Sequence, residues 1–323
     1  MWPVNSELTK AILQDDFYDS VERATNARFY SKFSTQKTME QISEAFASLG
    51  SVPEIRQMSG VTGGGPRQAI ALKDWVINAT ALEWEQTIPI RRIFAQSKPA
   101  QVRAKVSQTA QKAVKGLDRT FCQALASTTA LGYDAIALFS ASHPESGTNQ
   151  TNLSTTAGGG GGSATTAAQV ETALITATAQ FLGETDDQGT PVNEGVARFT
   201  VLCHPTQFYA FKGATSPLLS NQAIDSMGTK GELRGVVDLI PSAYCTTTGL
   251  TGGATTRAYL FAADGEANEF ALARGVLADW QFNTNIGDEG SDDWNKGEGW
   301  IRSWSAFLYF PWQWQAAQQI TFS

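Results

Sequence analysis

The alternating segment over residues 82–91 constrains the fold more than any other part of the sequence. One side carries Leu82, Trp84, Ile88 and Ile90, and the other carries Glu83, Glu85, Thr87 and Arg91. A period of two is typical of an antiparallel strand with one buried face. A strand-like run at residues 52–58 precedes it, with a glycine-rich turn at residues 60–66 between them. The sequence therefore predicts a hairpin over residues 52–94. Such a hairpin is too long to bury both faces in its own domain, so we expect it to lie on a neighbouring copy.

The next segment has the periodicity of a long amphipathic helix. Its apolar residues follow steps of three and four: Val102, Val106, Ala110, Ala113, Leu117, Phe121 and Leu125. Pro99 suits the first turn of a helix, and Gly132 suits its end. The opposite face is basic, with Arg103, Lys105, Lys112, Lys115 and Arg119. We predict a helix over residues 97–130 with one apolar and one basic face.

The first fifty residues contain two short pieces with helix signals. Ser6 is a suitable N-cap for the first piece and Thr38 for the second, which Gly50 would end. Neither piece is long enough to form a domain. We interpret this region as an N-terminal arm that must lie on something else.

The remainder mixes helix and strand without an internal repeat. A second amphipathic helix is predicted at residues 166–182, and strands at residues 199–203, 235–240, 258–262 and 271–280. Two more strands are predicted in the last forty residues, with an aromatic face formed by Trp300, Trp304, Leu308, Phe310, Trp312 and Trp314. Pro311 marks a bend or a sheet edge there. The predicted class is α+β, with distant segments paired in sheets.

Charge is divided unevenly along the chain. The net charge is −7, but residues 54–119 hold eleven Lys and Arg against five Asp and Glu, so this part is +6 and the rest is −13. A chain divided in this way can bind copies of itself, basic segment to acidic segment. A nucleic-acid reader is more often basic throughout. The alternative, that both sets of charges are merely solvated, stays open at this point.

Cysteine usage and hydropathy indicate the compartment. Cys122, Cys203 and Cys245 are odd in number and far apart, which favours free thiols in a reducing environment. No segment approaches the ~18 consecutive apolar residues of a membrane helix. The first residues lack the basic and apolar regions of a signal peptide. We therefore expect synthesis in a cytoplasm and no membrane partner.

The motifs of enzymes and metal proteins are missing from the sequence. The glycine run at residues 158–162 is not followed by the lysine of a phosphate loop. His143 and His204 lie 61 residues apart, with no zinc-ligand spacing. Cys203 and His204 are adjacent in a predicted strand, so their side chains should point to opposite faces. We predict no catalytic residue, no cofactor and no metal.

One acidic cluster allows more than one interpretation. It consists of Asp288, Glu289, Asp292, Asp293 and Glu298. It lacks the rhythm of an EF-hand, so a calcium site is the least favoured interpretation. A solvated turn and a docking partner for the basic helix or hairpin of another subunit both remain.

Four segments resemble the Mu-type phage major head proteins. Residues 75–78 and 82–92 are similar to that family's extended hairpin strand. Residues 132–144, with Tyr133-Asp134 at one end and His143-Pro144 at the other, resemble its Tyr-Asp-Gly…His-Pro segment. Residues 199–205 resemble its strand–Pro–helix step, and residues 318–323 its final strand. The resemblance covers roughly residues 50–323 in order and spacing.

The resemblance implies an HK97-type capsid fold with a defined division of the chain. The implied parts are an N-terminal arm (1–51), an E-loop hairpin (52–95), a spine helix with the peripheral domain (96–145), an axial domain (146–276), a return hairpin of the peripheral domain (277–311) and a final strand (312–323). The implied function is a tailed-phage major capsid protein, located in the virion, that assembles through pentamers and hexamers around double-stranded DNA. A host-encoded nanocompartment shell of the same fold is the alternative, and a hydrolase or secreted β-rich protein is a third possibility.

The resemblance also implies partners, and two features depart from the family. Only fifty residues precede the hairpin, so scaffolding should be a separate protein, alongside a portal and a possible decoration protein. The hairpin tip carries no lysine, and Lys73 lies on the shank, which argues against an autocatalytic Lys–Asn cross-link.

Two sets of candidate residues follow from the length of the hairpin and the charge pattern. The candidates for contact between subunits are Arg67, Lys73, Trp75, Trp84, Arg91, Arg92, Asp288, Asp292 and Asp293. The candidates for facing packaged DNA, through nonspecific phosphate contact, are Arg103, Lys105, Lys112 and Lys115.

Overall fold

The computed structural model describes residues 6–26, 28–49, 74–145, 147–156, 166–215, 236–263, 269–288 and 290–322. The chain forms two compact units, each built from three separate stretches. The first unit combines residues 1–44, 79–121 and 273–309, and the second combines residues 45–78, 122–272 and 310–323. The strand-like run at 52–58 and the glycine-rich turn at 60–66 lie outside the described residues.

The first unit is organised around a four-stranded sheet. Its strands are β1 (Ser34–Thr38), β4 (Leu82–Arg91), β11 (Leu272–Thr284) and β12 (Glu298–Pro311), in the order β1-β11-β12-β4. β4 pairs antiparallel with β12 over its whole length, from Leu82 opposite Phe307 to Arg91 opposite Glu298. The predicted alternation in this strand is confirmed. Residues 82–91 therefore belong to a sheet of their own unit, contrary to the expectation that the hairpin lies on a neighbouring copy.

The helices of the first unit are α1 (Ser6–Thr25), α2 (Tyr30–Phe33), α3 (Arg92–Ser97), α4 (Pro99–Ala126) and α7 (Asp292–Asn295). α4 confirms the predicted long helix, although it ends four residues earlier. Leu13 and Phe17 of α1 join Val102, Val106 and Ala110 of α4 in one buried apolar cluster. The first part of the predicted arm therefore lies on its own subunit, because these two large side chains stay out of water there.

The second unit is built on a five-stranded sheet. Its strands are β7 (Leu153–Thr156), β8 (Phe199–Cys203), β9 (Val237–Pro241), β10 (Arg257–Ala262) and β13 (Ala317–Phe322), in the order β7-β13-β10-β8-β9. The β8–β9 and β13–β7 pairs are parallel, whereas β10 is antiparallel to both of its neighbours. The strands predicted at residues 199–203 and 258–262 are confirmed.

Two helices cover this sheet, α5 (Ala167–Gly183) and α6 (Phe208–Thr215). Val170, Leu174 and Phe181 of α5 and Phe211 of α6 share one buried apolar cluster with the sheet. The start of α5 is fixed by Thr166, whose hydroxyl accepts from the Gln169 N–H while the Gln169 side chain accepts from the Thr166 N–H. This reciprocal cap satisfies backbone donors that a helix start leaves without partners.

Two short sheets complete the second unit and its junctions with the chain. β2 (Ser43–Leu49) pairs with β3 (Asp74–Thr80), and β5 (His143–Glu145) pairs with β6 (Thr148–Gln150). β2 corrects the helix predicted from Thr38 to Gly50. Thr38 is the last residue of β1, and the neighbouring Met39 is 3% exposed and donates its N–H to the Val276 carbonyl. Sheet pairing with a distant segment has overridden the local helix signal.

The aromatic face of β12 is also corrected. Trp300, Trp304 and Leu308 do share a face, but they are only half-buried. The deeper face carries Ile301, Ser303, Ser305 and Phe307, which are 0–2% exposed. Because Ser303 and Ser305 are polar, the sequence does not indicate that this face is buried. Ser305 is accommodated because its hydroxyl donates to the Ala278 carbonyl at 2.8 Å.

A buried carboxyl on α4 links this helix to the segment after α1. Asp118 is 3% exposed and accepts from the Arg28 guanidinium at 3.4 Å. Burial raises the pKa of Asp118 to about 6, and the positive charge of Arg28 opposes this rise only in part. The charged form of Asp118 is therefore costly in the folded state at neutral pH.

This pKa gives the subunit a specific pH dependence. Because folded Asp118 binds a proton near pH 6 and unfolded Asp near ~4, acidification from pH 7 to 5 should increase the free energy of unfolding by about 1 kcal/mol at this site. The Asp118→Asn subunit lacks this titration. We therefore expect the melting temperature of the wild type to rise relative to Asp118→Asn between pH 7 and pH 5. Parallel melting-temperature profiles for the two proteins would contradict the assignment.

Candidate assembly surfaces

The two hairpin tryptophans are held within their own chain. The Trp75 ring lies 4.4 Å from the Tyr133 ring. The Trp84 indole N–H donates to the Phe307 carbonyl at 3.1 Å, and its ring stacks on the Phe307 ring at 5.5 Å. Both tryptophans remain half-exposed, so each could offer only one part of its surface to a neighbour. Arg67 and Lys73 lie outside the described residues.

Other apolar side chains near the hairpin base are more exposed than these tryptophans. Val76 is 58% exposed, Leu82 55% and Ile93 76%. Sequence reasoning missed Val76 and Ile93. For Val76 a signal was available in the sequence. Ile77 and Ala79 are the buried positions of β3, so Val76 points to the opposite, exposed face of the strand. Val76 lies in the second unit, and Leu82 and Ile93 lie in the first.

The basic and acidic candidates near the ends of β4 and β12 lie within one unit. The Arg92 guanidinium lies 5.4 Å from the centre of the Trp294 ring, and its backbone N–H donates to the Gly297 carbonyl. Arg91 is exposed, as are Asp292 and Asp293 in the first turn of α7. Arg92 is therefore adjacent to the acidic turn of its own subunit, which sequence alone did not indicate.

Asp288 already has a partner in its own subunit. The Lys10 ammonium on α1 lies 2.9 Å from its carboxylate. The hydrogen bond from Lys10 lowers the pKa of Asp288, with a further contribution from the Gly290 N–H. This contact fixes the acidic turn against α1. Among the described members of the predicted cluster, Asp292, Asp293 and Glu298 are exposed.

The basic face predicted for α4 is present and exposed. Arg103 donates to both carboxylate oxygens of Asp16 on α1, at 2.5 and 2.7 Å. Lys105 donates to Gln108 at 3.1 Å, and Lys112 and Lys115 are exposed. Three of the four DNA-facing candidates therefore lie together on open helix surface, whereas Arg103 is engaged by α1.

A buried polar network occupies the 132–145 segment of the second unit. Tyr133 donates to Glu145 at 2.6 Å, and the His143 Nδ1 lies 2.5 Å from the Asp134 carboxylate. The His143 ring stacks flat on Trp314 at 4.2 Å. Burial is the main cause that raises the pKa of Tyr133, and the hydrogen bond to Glu145 adds to it. Tyr133 is therefore a hydroxyl donor at physiological pH.

The geometry of this network favours a structural role. The His143 side chain is 0% exposed and that of Asp134 is 7% exposed. A histidine–carboxylate pair can serve as an acid–base couple only if a substrate reaches the ring, and Trp314 covers the face of this ring. Asn152 extends the network by donating to the carbonyls of Leu138 and Trp314. The network therefore cross-links the segment to the C-terminal strand region.

The described part of the chain contains neither a metal-ligating cluster nor a helix that could cross a membrane. In the described ranges, no group of three or more His, Cys, Asp or Glu residues is arranged to hold a metal ion. None of the described helices combines the length and apolar character needed to cross a bilayer. His204 is half-exposed, and its Nδ1 accepts from the Thr206 N–H, as expected for a ring that caps a turn.

The turn within the 132–145 segment has an unusual backbone. Ala135 has φ +62°, the only positive φ among the described non-glycine residues. The neighbouring contacts fix it, because Gly132 N–H donates to the Ile136 carbonyl and Ile136 N–H donates to the Asp134 carboxylate. A side chain in this conformation costs about 1–2 kcal/mol.

Replacing this residue should therefore stabilise the subunit. Ala135→Gly removes the strained Cβ but adds chain entropy to the unfolded state, so the net gain should reach up to about 1 kcal/mol. The matched control is Ala137→Gly, two residues later at ordinary φ, which should lose roughly 0.5–1 kcal/mol. Chemical denaturation of the three proteins measures both changes. An equal loss of unfolding free energy in the two variants would show that Ala135 is not strained.

Comparisons with known proteins identify the fold. No protein-family model matches the chain, and no curated protein sequence matches it. The structure is similar to the capsid of the cyanophage P-SCSP1u, with TM-score 0.56, 13% identity and coverage of 91% of this chain and 88% of that chain. It is similar to the mature capsid of bacteriophage PhiM1, with TM-score 0.54, 11% identity and coverage of 91% and 87%.

A third capsid structure, that of Myoviridae phage XM1, gives TM-score 0.51, 12% identity and 91% coverage of each chain. At these identities the likeness is one of fold. It extends over nearly the whole chain, so it includes both units and not only one of them. The chain therefore has a capsid fold, consistent with the HK97-type fold that the resemblance implied.

Proposed function

We propose that this chain is the major capsid protein of a tailed bacteriophage, close to the Mu-type head proteins. It would assemble through pentamers and hexamers into an icosahedral head around double-stranded DNA. One observation carries the proposal: the fold of capsid subunits extends over 91% of the chain. The residue resemblance at 75–78, 82–92 and 132–144 also supports it.

The two units suggest how the parts of the fold are assigned. The first unit contains α4 and the four-stranded sheet, which correspond to the spine helix and the peripheral domain. The second contains the five-stranded sheet with α5 and α6, which correspond to the axial domain. The proposed limits remain 1–51, 52–95, 96–145, 146–276, 277–311 and 312–323. On this proposal the protein acts in the virion shell and is synthesised in the host cytoplasm.

Contacts between subunits are proposed to combine apolar and ionic residues. The exposed parts of Trp75 and Trp84 with Val76, Leu82 and Ile93 supply apolar area, and a buried large side chain contributes ~1.5–3 kcal/mol. Exposed ion pairs contribute only ~0–1 kcal/mol each. The apolar contacts should therefore set the stability of the shell, and ionic contacts should set register and rate.

The proposed partners follow from this role. Copies of the same chain come first, and a separate scaffolding protein, a portal, a possible decoration protein and packaged DNA come next. Trp314 covers the buried His143–Asp134 pair, which supports a structural role over a catalytic one. The proposal therefore gives the chain a structural role.

The proposal predicts curved assemblies from the purified chain alone. As concentration is raised, sedimentation and electron microscopy should show closed shells or, without scaffolding, tubes and spirals. A protein that stays monomeric or forms only small oligomers would sink the proposal. Particles that enclose an enzyme and no DNA in the producing cells would favour the nanocompartment alternative.

The same particles test whether the shell is held without covalent bonds. After boiling in denaturant, a gel should show one band at the chain mass of 34.7 kDa. This follows because no lysine occupies residues 60–66 at the hairpin tip. A ladder of covalent multimers would show that cross-linking occurs through another lysine.

A further inference from the structure

α1 presents an acidic ridge on its outward face. We use this name for Asp15, Asp19 and Glu22, which are all exposed. Steps of four and three residues place them on one side of the helix. Arg23 lies 3.6 Å from Asp19, but both side chains are largely solvated, at 82% and 58% exposure. This contact therefore leaves most of the negative charge of the ridge in place.

α4 presents a basic ridge of similar length. It consists of Lys105, Lys112 and Lys115, all exposed. The spacing of seven residues between Lys105 and Lys112 equals that between Asp15 and Glu22. Seven residues of helix advance by about 10.5 Å. Two charges on one ridge can therefore face two charges on the other at the same time.

The contacts between α1 and α4 show that the ridges run in the same direction. Asp16 binds Arg103, and four residues later the Ser20 hydroxyl bonds the Ser107 hydroxyl at 3.0 Å. Both helices advance together, so they lie parallel. The Asp16–Arg103 pair also shows that an α1 carboxylate and an α4 base can meet with two short hydrogen bonds.

Each ridge repels itself in the isolated subunit. Asp15 and Asp19 are four residues apart, and Lys112 and Lys115 are three apart. Like charges at these spacings destabilise a helix by a few tenths of a kcal/mol. A surface of opposite sign relieves both costs. Within the subunit Arg103 forms its ion pair with Asp16 and acts on Asp15 only through space, so the exposed ridge charges can still meet a partner outside the subunit.

We propose that the acidic ridge of one copy docks on the basic ridge of a second copy. The two ridges are different surfaces of the same chain, so the contact is head-to-tail, and repetition of such a contact closes a ring or extends a lattice. This inference rests on the proposed capsid function. It assigns Lys105, Lys112 and Lys115 to a neighbouring subunit and not to packaged DNA.

The contact acts on the rate and register of assembly. Solvated ion pairs add little stability, whereas complementary charge speeds encounter by ten- to a thousandfold at low salt and disfavours wrong partners. Assembly driven by these ridges should therefore slow as ionic strength rises above ~0.1 M. At that salt concentration the Debye length is about 10 Å, which is similar to the spacing of the charges along each ridge.

A charge-swap experiment tests the contact. Asp15→Lys with Glu22→Lys reverses the acidic ridge, and Lys105→Glu with Lys112→Glu reverses the basic ridge. Each double variant should assemble on the order of tenfold more slowly than the wild type at low salt, measured by light scattering without DNA. The fourfold variant restores opposite signs across the contact, so its rate should return to within about threefold of the wild type.

Controls separate this inference from folding and from the proposed function. Glu194→Lys reverses an exposed charge in the second unit and should leave the rate unchanged. The melting temperature of each unassembled variant shows whether it folds. If the wild type assembles and the double variants assemble equally fast, or the fourfold variant is as slow as the doubles, the ridge contact is wrong while the capsid function stands. Failure of the wild type to assemble contradicts the capsid function itself.

Discussion

Pairing between β4 and β12 is the interaction on which the first unit depends. It joins residues far apart in the chain: the Trp84 indole and the Phe307 carbonyl that it contacts are separated by 223 positions. Closing so long a loop costs chain entropy before any contact forms. The register of ten residue pairs repays this cost and brings β4, the start of α4 and the acidic turn around α7 into one unit. The base of the hairpin is therefore part of the body of the subunit.

The sequence predicted elements whose signal is local and missed those decided by distant partners. The stripe from Val102 to Leu125 needs only helical periodicity, and the alternation at residues 82–91 needs only a strand with one covered face. The segment after Thr38 has helical spacing too, yet the backbone of Met39 bonds Val276, and a local pattern carries no information about that partner. The deeper face of β12 was missed because Ser305 is buried through a hydrogen bond, which hydropathy cannot show.

The sequence predicted the charge of the candidate surfaces better than it predicted the contacts of their individual residues. The lysines of α4 and the aspartates of α7 are exposed, as their residue types indicate, because charged side chains are rarely buried. It could not show that Arg103 and Asp288 already have partners on α1, because α1 contributes only isolated charges to the sequence pattern. The 132–144 resemblance marked a segment whose buried network contains His143 and Tyr133. The hydrogen bonds of Tyr133 to Glu145 and of His143 to Asp134 restrict the arrangement of this segment, which a repeating subunit requires.

Amide hydrogen exchange of the unassembled subunit tests most directly whether β4 belongs to its own sheet. If the pairing is intramolecular, the β4 amides that face β12 should exchange as slowly as their β12 partners, before any shell forms. Assembly should then add protection mainly at exposed positions such as those around Val76 and Ile93. Fast exchange throughout residues 82–91 in the free subunit, with protection gained only in the shell, would contradict the account.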